Sequence, residues 1–186
     1  ERTVKDPELE VAEVPTNMVL FLLVGQSNMA GRGAITSEDA LPIDRCLKFG
    51  RDGHWLESAS PIHSDRNNAG YGIANAFVRV YLDEHPDETV GLIPCAVGGS
   101  NSATWAPEPQ RGVVGANFWN SVRRARVAGQ NGRIAGILWH QGEADEKRCK
   151  ENGGGYYVAR LKAIAEGFRR ELDLSDVPFL VGEIGN

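Results

Sequence analysis

Residues 18–25, "MVLFLLVG", form an unbroken apolar run that is too short for an ordinary helix and closes on a glycine. That pattern predicts a strand buried on both faces. "TVGLIPCAVGG" (89–99), "RIAGILWHQ" (133–141) and "VPFLVGEIG" (177–185) predict three more strands. Helical periods separate them. "GYGIANAFVRVYLDEH" (70–85) puts Ile73, Phe77, Val80 and Tyr81 on one side and Asn75, Arg79 and Asp83 opposite, and it stops before Pro86. "NFWNSVRRARVAG" (117–129) ends on a glycine, and residues 156–172 space Tyr157, Leu161, Ile164, Phe168 and Leu172 three and four apart. "CLKFGRDGHWLES" (46–58) reads as a hairpin turned by "RDG", and residues 1–17 as an irregular lead-in. Alternating strands and helices predict an α/β fold: a three-layer α/β/α sandwich on a mainly parallel, flavodoxin-like sheet spanning 18–186.

Composition narrows the partners. The 186 residues suit one domain, and 41% apolar with 24% charged residues is globular. A net charge of -5 without long runs of one sign argues against nucleic acid, and Arg123, Arg124 and Arg126 read as a solvated helix face. The longest apolar run is far short of a membrane span. Cys46, Cys95 and Cys149 form neither a disulfide framework nor a zinc pattern, and Cys95 reads as a small buried hydrophobe. The first residue, Glu1, fits a processed or excised chain, and the compartment stays open.

Ligands of such sheets sit beyond the carboxyl ends of the strands, where the unusual loops fall. "GQSNMAGRG" (25–33) puts Ser27 at a strand-to-helix turn. Two readings stand side by side: a helix N-cap, or a nucleophile whose own N–H helps receive an oxyanion. The P-loop pattern is absent, and Met29 breaks the Gly-x-Ser-x-Gly elbow. In "VGGSNSATW" (97–105), Gly98 and Gly99 form either a plain turn or a second oxyanion donor. Asn101 and Trp105 are candidate substrate contacts, Trp105 alternatively a core anchor. In "WHQGEAD" (139–145), Gln141 offers an amide donor, while Glu143 and Asp145 could orient a histidine or hold a metal. No ligand histidine at helical spacing supports the metal, and His140 reads as a packed strand residue.

Together, "GQSNMAGRG", the Gly98–Gly99 turn and "WHQGEAD" resemble the SGNH-type hydrolases. More closely they resemble the carbohydrate acetylesterase branch with sialate O-acetylesterase and the family-six acetyl xylan esterases. The resemblance implies a serine esterase that removes O-acetyl groups from carbohydrate without a cofactor or metal, and it leans to a secreted or periplasmic protein. It implies Ser27 as nucleophile, and an oxyanion hole from the N–H groups of Ser27 and Gly99 with the Gln141 side chain. Glu143 corresponds to a proposed triad acid, whereas other members use an Asp just ahead of the catalytic His. That His belongs to an Asp-x-x-His segment after the last strand, and none of His54, His63, His85 or His140 lies in one. The expectation is a chain lacking its C-terminal portion. Alternatives are a non-catalytic carbohydrate-binding domain on the same fold and, by fold analogy alone, a flavodoxin-like nucleotide or flavin domain.

Overall fold

The structure, a computed structural model, describes residues 11–108 and 115–184. Six strands form one sheet: β1 (Met18–Gly25), β2 (Cys46–Phe49), β3 (Trp55–Glu57), β4 (Val90–Pro94), β5 (Gly132–His140) and β6 (Phe179–Val181). Their order across the sheet is β3-β2-β4-β1-β5-β6, and every pairing is parallel except the β2–β3 hairpin. The α/β fold and mainly parallel sheet are those expected. With the hairpin strand set aside, the parallel strands run 2-3-1-4-5 in chain order, whereas a flavodoxin sheet runs 2-1-3-4-5.

β1 is buried along its whole length because it is the central strand with helices on both faces. Side chains alternate across a strand, so β1 feeds two cores. Met18, Leu20, Leu22 and Val24 pack with Phe118 and Val122 of α3 (Ala116–Ala128) and with Ile164 and Phe168 of α5 (Gly155–Leu172). Val19, Phe21 and Leu23 pack with Met29 of α1 (Ser27–Ala30) and with Ala74, Val78 and Leu82 of α2 (Ile73–Glu84). These are the three layers.

The periodic segments become the expected elements, with four differences. In α2 the buried face is Ala74, Val78 and Leu82, flanked by Phe77 and Tyr81, while Ile73 and Val80 are exposed. Asn75, placed opposite by the sequence pattern, is buried and donates to Ser60 Oγ at 2.7 Å. Ala74 shares a core cluster with Phe21, whose ring meets Phe77 and Tyr81 edge-on at 4.8 Å. β6 is a three-residue edge strand with Leu180 and Val181 half exposed, where a longer buried strand was expected. Arg124 is not part of a solvated face: its guanidinium lies over the Phe49 ring and donates to Phe49 O and Gly50 O. A short helix, α4 (Glu146–Asn152), follows the "HQGEAD" loop and was not expected. The first ten residues of the lead-in, and the end of the expected 177–185 strand, lie outside the described residues.

Candidate active site

The tips of β1, β4 and β5 are stitched together by main-chain hydrogen bonds that continue past the strands. Gln26 N–H donates to His140 O (2.9 Å), and Val97 N–H donates to Gly25 O (3.0 Å). Gly25 must be a glycine here: φ is +139°, and a Cβ would sit 2.1 Å from His140 O. The chain then turns into α1, with Ser27 its first residue.

Ser27 is not an N-cap. That position belongs to Gln26, and no side chain caps the helix. Ser27 is partly exposed, and neither its hydroxyl nor its N–H has a hydrogen-bond partner among the described residues. α1 makes only the Ala30 N–H to Gln26 O and Gly31 N–H to Ser27 O bonds before Gly31 turns out of it. A four-residue helix carries little macrodipole, so any help to an anion here comes from individual N–H groups.

The β4 tip is held by charge. Asp65 accepts from Gly98 N–H (2.8 Å) and pairs with Arg32 (2.7 Å), while Arg66 Nη2 donates to Gly98 O (2.9 Å). Burial by itself raises the Asp65 carboxyl, but the Arg32 and Gly98 donors outweigh it and the net shift is downward. With Gly98 locked on both sides, Gly99 turns through φ +77° and leaves its N–H exposed, without a partner among the described residues. Asn101 Oδ1 accepts from Ala103 N–H (3.1 Å) and so caps the short 3-10 turn Ser102–Trp105, which leaves its amide Nδ2 as the available group.

Two expected substrate-facing roles are corrected. Trp105 is fully buried, edge-on to Trp139 at 5.5 Å, with Nε1 donating to Ser100 Oγ (2.9 Å); it is a core anchor, since an indole used this way has no face for a ligand. Gln141 is 1% exposed. Its Nε2 reaches Asp145 Oδ2 (2.8 Å), Ser100 O (3.1 Å) and Gln26 Oε1 (3.2 Å), and its Oε1 lies 3.0 Å from the Tyr157 hydroxyl. Two amide hydrogens shared among three internal acceptors leave none for an oxyanion, so Gln141 braces the loops. The Tyr157 hydroxyl, which also donates to Gln141 O, is pushed up to about 12, chiefly by burial.

Glu143 does face the Ser27 loop: Asn28 Nδ2 donates to its Oε1, and its Oε2 is buried without a partner among the described residues. The histidines are spread out. His54 and His85 are exposed, the latter stacked on Tyr81. His63 is 2% exposed and close enough to Asp65 and Arg32 to feel their charges. The His140 ring packs against Gly182. Among the described residues no histidine hydrogen-bonds to Ser27, and no group of three or more His, Cys, Asp or Glu residues could hold a metal. Sequence reading missed Gln26, Asp65, Ser102 and the bracing role of Asp145. Each is an ordinary polar residue in or next to a loop, a signal too common to single it out.

The sequence profile of the family described as "Carbohydrate esterase, sialic acid-specific acetylesterase" matches residues 17–186. The chain belongs to this family. The chain is 27% identical to "Probable carbohydrate esterase At4g34215" of Arabidopsis thaliana over 94% of its own length and 71% of that protein. The solved structure of that Arabidopsis protein superposes with a TM-score of 0.75 at 25% identity, covering 90% of this chain and 74% of that one. NanS (TM-score 0.65, 19% identity, 92% and 68% covered) shares the fold. So does XAC1771, a carbohydrate acetylesterase from Xanthomonas citri (0.58, 20%, 88% and 41%). The description of this family points to acetylated carbohydrate as the substrate class of its members. No helix among the described residues is long and apolar enough to cross a membrane.

Proposed function

We propose that this chain provides the nucleophile of a carbohydrate O-acetylesterase. Ser27 Oγ attacks the acetyl carbonyl, the sugar hydroxyl leaves with a proton, and water then hydrolyses the acetyl-serine to acetate. The N–H groups of Ser27 and Gly99 receive the oxyanion, Asn101 Nδ2 contacts the sugar, and no cofactor or metal takes part. The observation that carries the reading is the pairing of an uncommitted hydroxyl with two uncommitted main-chain N–H groups, on loops strapped to the same Gly25 carbonyl. That carbonyl accepts both Val97 N–H (3.0 Å) and Ser100 Oγ–H (3.4 Å). Preorganised donors of this kind supply much of the rate in acyl transfer.

The reaction also needs a base. Glu143 Oε2, buried without a partner among the described residues, is a place for an imidazole N–H to dock and be oriented, a place that none of the four histidines of this sequence occupies. Sialate and xylan O-acetyl esters are the first substrates to try, given the family.

The test is a serine-directed phosphonate with peptide mapping, alongside acetate release from p-nitrophenyl acetate and acetylated glycans by the full-length protein. Ser27 should carry the label, and Ser27→Ala should lose both the label and at least a thousandfold in kcat. Glycan binding with neither label nor acetate release would replace the esterase with the non-catalytic carbohydrate-binding domain.

A further inference from the structure

Asp145 is fully buried, and among the described residues no lysine, arginine or histidine pairs with it. Its partners are all neutral donors. Ser102 N–H (2.7 Å) and Gln141 Nε2 (2.8 Å) meet Oδ2, and the Ser102 hydroxyl (2.8 Å) meets Oδ1. A carboxyl buried this completely must have its oxygens satisfied by hydrogen bonds, and these three donors do so. What the carboxyl adds is direction, since its two oxygens on one planar group accept from Ser102 and from Gln141 at once.

That direction propagates. The bond to Asp145 is the shortest that Gln141 Nε2 makes, and it fixes which way the amide faces. The same nitrogen then reaches Gln26, the residue before Ser27, and Ser100, the residue after Gly99. Asp145 also grips Ser102 directly. One carboxylate therefore stands one hydrogen bond from the Gly99 loop and two from the Ser27 turn.

We propose that Asp145 is a positioning residue, whose buried carboxylate holds the Gly99 and Ser27 N–H groups in register through Ser102 and Gln141. The inference rests on the esterase reading above for its catalytic consequence, but the brace itself is testable without it. Misplacing catalytic groups by about 1 Å can cost on the order of a hundredfold in rate.

Asp145→Ala, measured per phosphonate-titrated site of the full-length protein, should lower kcat about 10- to 100-fold with KM within about twofold. Amide hydrogen exchange across 98–105 should quicken while α2 stays unchanged. Asp145→Asn should be close to wild type in both. Its amide oxygen can still accept from Ser102 N–H and Gln141, and its NH2 can donate to the Ser102 hydroxyl. Unchanged kcat in Asp145→Ala, equal losses in both variants, or unchanged exchange at 98–105 would each overturn the proposal. A wild-type protein without turnover or label at Ser27 would sink the esterase reading instead. The exchange comparison would then still decide the brace: local quickening supports it, and its absence overturns it.

Discussion

A single residue type can stand at a loop tip for opposite reasons, and Trp105 and Gln141 show this. Both lie in segments whose neighbours, Gly99 and Glu143, do face the candidate site, yet both are buried and fully engaged. The sequence pattern marks where the chain reaches the tip of the sheet. It does not mark which side chains turn back. Trp105→Ala should therefore behave as a core truncation and destabilise by about 3–5 kcal/mol in urea titrations. A variant of unchanged stability with weakened substrate affinity would return the indole to the substrate. Ser27 was legible because it follows a buried strand at a glycine-bounded turn. Asp145 was visible only as one of two nearby carboxylates, since its bonds to Ser102 span 43 residues.

At the scale of elements, periodicity located the helices better than it oriented them. α2 spans the expected stretch, but its buried stripe is rotated because Ala74 and Asn75 fit against the sheet and the loop at Ser60, whereas the bulkier Ile73 and Val80 remain outside. The Gly98–Gly99 turn is the element on which the proposed chemistry leans hardest. At Gly99 a Cβ would have room, 3.4 Å from Arg66 Nη2, but φ +77° is a conformation that side chains resist. Gly99→Ala should cost about 1–2 kcal/mol of stability. Relief of that strain should rotate the N–H away, so acetate release should fall by more than tenfold while the thermal midpoint drops only modestly. Equal activity would mean that this N–H does not serve the oxyanion.

For the whole molecule, the polar groups buried beneath the candidate site set the response to acid. Burial pulls the His63 imidazole down from 6.5 to about 4 against the opposing pull of Asp65, with Arg32 and Arg124 adding to the decrease. A neutral buried imidazole means that the unfolded chain takes up the proton first. Stability is then intact above about pH 6.5 and is lost as pH falls toward 4, by about 3 kcal/mol for a shift of this size. Unfolding free energies from pH 7 to 4 should show this slope, and His63→Gln should flatten it. An unchanged slope would assign acid sensitivity to other groups. The alternation of strands and helices, the parallel sheet and the three loops at one edge were determined by the sequence alone, because strand and helix periods and glycine-marked turns are local properties of the chain. Only the tertiary structure decided the strand order, the rotation of α2 and the inward turn of Gln141. Each depends on partners far apart along the chain, as Gln141 and Gln26 are at 115 residues, and no local pattern records which distant groups will meet.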